Sequence, residues 1–333
     1  MKSVPVPASL RVIFFGTPEF AGPSLDALTQ SGHRVVAVVS QPDRPKGRGQ
    51  QLQPTPTRVI AEARGIPLLQ PAKIRDEAFL QQVRGLDPDL GVVVAFGRIL
   101  PDALLAIPRL GMINVHASIL PRYRGAAPIQ RAVLAGDAET GVTIMRVVTE
   151  LDAGPTFSVG SLPIAAHATS GEVEAALAPL GAALLLPVVD DLAAGRASET
   201  PQDHGAATHA AKITKAEGTI DWTEPAVAVH NRVRGLQPWP LGSTHLNGVR
   251  LVLRRTTPAG PEVAPIADLT PGTIVRAHGG DLIVACGGGT ALRILELQPE
   301  GRRTMTTREF LAGHGAGRDP KGSSCLEGAR MGA

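Results

Sequence analysis

The feature that most constrains this chain is a pair of apolar runs separated by one helix. The first is Arg11-Val-Ile-Phe-Phe-Gly16 and the second is Arg34-Val-Val-Ala-Val-Val-Ser40. Runs this short and this apolar read as strands buried on both faces. Between them, Thr17-Pro18-Glu19 combines a hydroxyl cap, a proline at the first helical position and an acid in the first turn. Those are helix-start signals, and Gly32 ends the helix after Ser31. Strand, helix and strand in so little chain form a βαβ unit, which requires parallel strands and a right-handed crossover. Aromatic residues make up only 3% of the chain against 43% hydrophobic in total, so the interior has to be filled by aliphatic side chains.

The alternation continues. Strands are expected at 90–95, 112–116, 141–147 and 157–164. Helices are expected from Thr55-Pro56 to Gly65, near 75–84, after Pro101, near 129–135, and from Ser170 to about Gly195. The longest apolar run, 175–189, contains Pro179, Gly181 and Pro187 and is short for a bilayer, so it reads as a buried helix. This gives an open α/β domain over 10–195. A Ser-, Thr-, Pro- and His-rich linker covers 196–209. Beyond it, short β runs at 243–246, 249–254, 272–276, 281–286 and 292–297 are separated by turns such as Asn247-Gly248 and Gly287-Gly-Gly289. That rhythm predicts a small β-barrel or sandwich over 210–314. The Gly-, Ser- and charge-rich stretch 315–333 reads as a disordered tail. Two domains suit a chain of 333 residues.

Several classes of function drop out. Gly16-Thr-Pro-Glu19 is not GxGxxG, and Pro18 removes an amide donor where a pyrophosphate would need one. A nicotinamide-dependent dehydrogenase is thereby disfavoured. There is no GxxxxGK[ST] and no HExxH spacing, so a P-loop is excluded and no metal is expected. Two cysteines without CxxC spacing exclude a disulfide framework, and the start MKSVPVPASL lacks a secretory h-region. The expectation is a cytoplasmic protein with no membrane partner. The net charge of +3 permits a polyanionic partner without requiring one.

The polar residues that remain are concentrated. Asn114 and His116 lie two apart in the strand 112–116, on one face and near its C-terminal end, where open α/β sheets bind ligands. Spacing alone leaves His116 open between a structural histidine and an acid–base group. A rigid loop follows directly, Ser118-Ile-Leu-Pro-Arg-Tyr-Arg-Gly-Ala-Ala-Pro128. Asp152 precedes Gly154-Pro155 in a turn after the next strand. If the two strands are neighbours, Asn, His and Asp can converge. An amide donor with a His–Asp pair suits direct acyl transfer to an external nucleophile: Asn114 at the oxyanion, His116 moving a proton, Asp152 orienting and stabilising the imidazole.

The residues are familiar. Phe15-Gly-Thr-Pro-Glu-Phe20, Gln41-Pro-Asp-Arg44 with Gly47-Arg-Gly49, Val92-Val-Val-Ala-Phe-Gly97, Ile113 through Gln130, Gly136 through Met145 and Leu151-Asp-Ala-Gly154 are the specific matches; Ile220-Asp-Trp222 and Gln237-Pro-Trp-Pro240 are weaker. Across about 10–312 the chain resembles the 10-formyltetrahydrofolate-dependent formyltransferase family, in its methionyl-tRNA branch. The resemblance implies a formyltransferase-type Rossmann-like parallel or mixed sheet domain, then a C-terminal OB-like β-barrel. It implies transfer of a formyl group from 10-formyltetrahydrofolate to the α-amine of methionine on initiator tRNA, releasing tetrahydrofolate; a monomer is the accompanying expectation. Carried over by motif, Asn114, His116 and Asp152 are the catalytic trio, and Ser118, Ile119, Leu120, Pro121, Phe96 and Gly97 line the folate site. The loop 40–54, with Arg44, Lys46 and Arg48, reaches toward the tRNA. Ala117 and Tyr123 stand where the family commonly has Gly and Trp, departures that touch the loop's fit but no catalytic group. The second domain carries twelve Lys and Arg against nine acids over 210–314, consistent with phosphate contacts. Two other readings share features: a sugar-nucleotide amine N-formyltransferase, against which the basic loop argues, and a non-catalytic RNA-binding module, against which the intact trio argues.

Overall fold

The structure, a computed structural model, describes residues 9–46, 51–260, 263, 268–314 and 326–332. The chain forms two compact units. The first comprises Met1–Pro128, Glu139–Pro163 and Glu174–Ala211; the second comprises Ile129–Ala138, Ile164–Val173 and Lys212–Ala333.

In the first unit, β1 (Arg11–Gly16) leads through a short 3-10 turn, Glu19–Ala21, into α1 (Gly22–Gln30) and β2 (Arg34–Val39). Thr17 does not cap the helix; its hydroxyl accepts the Gln41 N–H instead. Next come β3 (Arg44–Lys46), β4 (Gln51–Gln53), α2 (Pro56–Ala63), β5 (Leu68–Leu69), α3 (Glu77–Gly85), β6 (Leu90–Val94), α4 (Asp102–Leu105), β7 (Met112–His116) and β8 (Arg124–Gly125). After α5 (Pro128–Ala135), which apart from Pro128 belongs to the second unit, follow β9 (Glu139–Arg146), β10 (Thr156–Pro163), α6 (Ser170–Ala193), whose first four residues also belong to the second unit, and β11 (His209–Ala210). The main sheet has the order β10-β9-β7-β6-β1-β2-β5. From β7 to β5 all neighbours are parallel, whereas β9 pairs antiparallel with both β7 and β10. The sheet is therefore mixed, and Val12 to Phe15 are fully buried at its centre, as a two-sided strand requires.

The helix α6 is long and apolar enough to cross a membrane by length and composition. Within the first unit its face of Leu177, Ala178, Leu185 and Val189 is buried. Gly181 lies so close to the sheet that a Cβ there would sit 2.8 Å from Val115 Cγ1.

Two expectations change in this unit. The loop 40–54 contains a hairpin, β3 paired with β4, in which Pro45 faces Leu52. Its base is fixed by Asp43, whose carboxylate accepts the Thr55 N–H and the Gln70 amide and pairs with Arg58. The Gln70 amide holds that carboxyl below the usual range, against the opposing effect of burial, and Thr55 and Arg58 add to it. The stretch 196–209 is not a free linker either. Thr200 bridges to Thr156, and β11 pairs with β8.

The second unit has α7 (Ala226–Gly235), β12 (Gly242–Leu246), β13 (Val249–Pro258), β14 (Ile274–His278), β15 (Asp281–Cys286), β16 (Thr290–Pro299), β17 (Met305–Thr306), α8 (Thr307–His314) and β18 (Met331–Gly332). The strands form one antiparallel sheet in the order β14-β15-β16-β13-β12-β18, curled about a core that includes Trp222, Val233, Leu253, Ile294 and Phe310. This is the half-barrel of an OB-like domain. Residues 326–332, which the sequence reading places in a disordered tail, close it. Met331 pairs with Leu246 while Arg330 bridges to Thr273, and Leu326 and Met331 are buried. Two apolar side chains and a paired backbone outweigh the polar composition around them. Residues 315–325 lie outside the described residues.

Candidate active site

Asn114 and His116 share the face of β7 opposite Val115. His116 is buried, and its Nε2 lies 2.9 Å from the Tyr123 carbonyl oxygen. That oxygen can only accept, so Nε2 donates to it, which leaves Nδ1 as the nitrogen available for proton exchange. Nδ1 faces Asp152, 3.7 Å from Oδ2, with the two side chains 6% and 12% exposed. The Asn114 carboxamide is half-buried and makes no hydrogen bond among the described residues. The three side chains expected from sequence thus include a His–Asp pair in contact and, on the histidine's own strand face, an amide free to donate.

The route by which Asp152 arrives differs from the expectation. β9 is the neighbour of β7 but runs antiparallel, with Thr143 opposite His116 and Arg146 opposite Ile113. The end of β9 is therefore at the far end of β7 from the histidine, and 147–155 has to double back. Gly154 makes that possible, because a Cβ there would lie 2.0 Å from the Arg146 carbonyl oxygen. Asp152 itself has φ +51°, in the left-handed region, and its Oδ2 accepts the Gly125 N–H at 2.9 Å.

The loop 117–125 is held from below by Thr143. Its hydroxyl donates to the Ser118 carbonyl at 2.7 Å and accepts the Leu120 N–H at 3.1 Å. From the other side, the Tyr123 N–H donates to Thr208 Oγ1 at 2.9 Å. Arg124 is buried, and its guanidinium donates from Nε and Nη2 to Gln202 Oε1 at 3.1 and 2.8 Å. The Gln202 amide donates to the carbonyls of Asp152 and Gly154, at 2.9 and 2.6 Å. Thr143, Gln202 and Thr208 are parts of the site that sequence reading missed. Thr143 shows only once the β7–β9 register is known, and the other two stand in a segment whose composition reads as a linker.

The remaining expected residues divide. Ser118 is fully buried and spends its hydroxyl on the Arg122 carbonyl at 2.6 Å. Leu120 is buried. Phe96 is 2% exposed and packs edge-on against Phe15, so its ring is turned into the core. Ile119 and Pro121 are half-buried and open to one side, and Gly97 has φ +75° with the Gln41 amide 2.7 Å from where a Cβ would stand. Ile119 and Pro121 therefore keep exposed surface on this loop, whereas the Ser118 hydroxyl and the Phe96 ring are turned inward. On the hairpin, Arg44 donates to Gln41 Oε1 at 3.1 Å, and Gln41 in turn donates to the Phe96 carbonyl at 2.8 Å. The side chain of Lys46 and all of Arg48 lie outside the described residues. Among the described residues no group of three or more His, Cys, Asp or Glu is placed to hold a metal ion.

The chain thus combines a mixed α/β sheet, carrying Asn114 and the His116–Asp152 pair, with an antiparallel half-barrel. The chain belongs to the formyl transferases: that family matches residues 10–189, and the formyl transferase C-terminal domain matches residues 212–315. Within the class it is similar to methionyl-tRNA formyltransferases. That of Methylococcus capsulatus is 47% identical over 305 residues, 92% of this chain and 97% of that protein. That of Pelobacter propionicus is 48% identical over 306 residues, 92% of this chain and 94% of that protein. Solved structures share the fold at 15% identity. The N-formyltransferase from Helicobacter canadensis, in complex with folinic acid and dTDP-3-aminofucose, aligns with a TM-score of 0.64 over 86% of this chain and 98% of that one. HypX from Aquifex aeolicus, in complex with tetrahydrofolic acid, aligns with a TM-score of 0.62 over 91% of this chain and 47% of that one.

Proposed function

We propose that this enzyme transfers the formyl group of 10-formyltetrahydrofolate to the α-amino group of methionine on initiator methionyl-tRNA. The observation that carries the reading is the His116–Asp152 pair, with side chains 6% and 12% exposed, near an Asn114 amide on the histidine's own strand face that makes no hydrogen bond among the described residues. The relatives' name, at identities of 47% and 48% over nearly the whole chain, supports the choice of acceptor.

The amine nitrogen attacks the formyl carbon and gives a tetrahedral oxyanion, to which the Asn114 amide donates. The amine gives up its proton to His116 Nδ1, and the imidazolium so formed faces the Asp152 carboxylate. Collapse breaks the bond to N10 of the folate, which takes the proton back from His116 and leaves as tetrahydrofolate. Asn114 and the His–Asp pair are strongest at the point where charge develops, which is the condition for lowering the barrier and not merely tightening binding. Ile119, Pro121 and the main chain around Gly97 line the folate side, and the basic segment 40–54 meets the RNA. The enzyme works in the cytoplasm, as a monomer.

The test is direct. Purified protein is incubated with 10-formyltetrahydrofolate and methionyl-tRNA, with uncharged tRNA, free methionine and an amino-sugar nucleotide as parallel acceptors. Formylation of the charged tRNA alone is expected. Preferential formylation of the sugar nucleotide would replace this reading with the sugar-nucleotide one.

A further inference from the structure

The segment between the two family-matched spans, 190–211, carries the contact that unites the catalytic loops. The imidazole and the carboxylate come from different loops, and nothing in the strand pairing sets their separation. His116 takes its ring orientation from the Tyr123 carbonyl, and Asp152 takes its carboxylate position from the Gly125 N–H. Arg124 lies between those two backbone groups, and its guanidinium donates to Gln202, with Glu150 Oε1 3.6 Å and His204 Nδ1 3.4 Å from Nη1. The other end of the same carboxamide donates to the carbonyls of Asp152 and Gly154. Both hydrogens and both lone-pair directions of the Gln202 amide are thus in use, in a side chain that belongs to a residue only 8% exposed. Thr208 fixes the same loop from the same segment, through the Tyr123 N–H and through its own carbonyl to Arg124 N.

We propose that Gln202 is a positioning residue of the formyl-transfer site: by bridging Arg124 to the Asp152 turn, it sets the distance between the His116 imidazole and the Asp152 carboxylate. This rests on the function proposed above. Gln202 touches neither substrate nor reacting atoms and acts through Asp152. Its replacement therefore has a signature that general destabilisation lacks. Gln202→Glu keeps the shape and still accepts from Arg124, but it turns an acceptor toward two carbonyl oxygens and releases the turn.

The experiment measures kcat and both KM values for Gln202→Glu, for Asp152→Asn and for the double variant in the full chain. It also follows the Nδ1 resonance of His116 in 15N-histidine-labelled protein. A displaced catalytic group costs on the order of 10²-fold, so Gln202→Glu is expected to lose about that in kcat with KM within about threefold. In the Asp152→Asn background the second substitution is expected to cost less than about twofold, because residues acting as a unit do not add. The Nδ1 resonance is expected to move in Gln202→Glu. Near-wild-type kcat, or the same loss repeated in the Asp152→Asn background, overturns the proposal. If Gln202→Glu does not fold, Gln202→Asn decides, because its carboxamide is one methylene too short to span Arg124 and the Asp152 turn; wild-type kcat in that variant overturns the proposal as well. If the wild-type protein formylates no methionyl-tRNA, the functional reading falls on its own. The histidine resonance then still tests the geometry: an unmoved signal refutes it and a moved one upholds it.

Discussion

Asp152→Asn isolates charge from shape. The asparagine keeps the size of the aspartate, and its oxygen can still accept the Gly125 N–H that Oδ2 accepts at 2.9 Å. What disappears is the negative charge 3.7 Å from His116 Nδ1. Two unit charges about 4 Å apart attract by about 4 kcal/mol at the effective dielectric of about 20 that suits sites of this kind. That attraction exists only while the imidazole is protonated, which in the proposed cycle is from amine attack until the folate leaves. With each 1.36 kcal/mol worth about tenfold, its loss is expected to lower kcat by up to about 10³-fold. The KM values and the thermal midpoint should change little. The assay is formylation of methionyl-tRNA with both substrates saturating, repeated at high salt; a pair this buried is screened weakly, so the deficit should persist. A kcat within about fivefold of wild type would remove electrostatic stabilisation by Asp152 from the mechanism, because at least tenfold follows from even half the estimated attraction.

Asn114→Ala should lower kcat by about 10²–10³-fold with little change in either KM, as loss of one oxyanion donor does elsewhere; initial rates with both substrates varied will show it. Gly141→Ala should destabilise the first unit and depress activity together. Its Cβ would lie 2.1 Å from the Gly160 carbonyl oxygen and 2.8 Å from Ile119 Cγ1, so strand β9 would have to part from β10 beneath the loop. Overpacking of this kind costs about 1–3 kcal/mol, which calorimetry will register as a lower midpoint. In the second unit, Glu309 closes the start of α8 by accepting from Thr306 N–H and Arg303. Together these hold its carboxyl at about 2, against an ordinary value of 4.5. A depressed folded value means that its stabilisation is complete above pH about 4.5 and is lost as pH falls toward 2. Glu309→Gln should therefore flatten the acid limb of second-unit stability. Tryptophan fluorescence reports it selectively, since Trp222 and Trp239 are the chain's only tryptophans and both lie in that unit.

Most of the sheet was legible because β1, β2, β6, β7 and β9 are apolar runs with largely buried residues, whereas the two-residue β5 is too short to carry a pattern and β10 is only partly buried. The Asn114 and His116 pair was legible because a spacing of two on a strand fixes a common face. The path of Asp152 was not legible. Sequence spacing cannot say that β9 reverses direction, and that reversal forces the turn to fold back over the face instead of standing at its edge. The hairpin β3–β4 escaped notice because its three-residue strands carry no hydrophobic alternation and are held by Asp43, Thr55, Gln70 and Arg58 around them. Gln202 escaped for the opposite reason. Its surroundings are polar and rich in turn residues, and only the tertiary contacts show that its amide is fully engaged. Phe96 was expected to line the folate site and is instead part of the core, because an aromatic after a buried strand is as well suited to packing on Phe15 as to a ligand.

Gly181 has a consequence for how the enzyme can move. With no side chain there, the back of the catalytic strand rests almost directly on a helix whose inner face is too oily to leave, so β7 behaves as an anvil. A sheet braced this way is a fixed base. What lies in front of it takes its place from hydrogen bonds instead: the proline-bounded loop from Thr143 and Thr208, and the returning turn from Gln202.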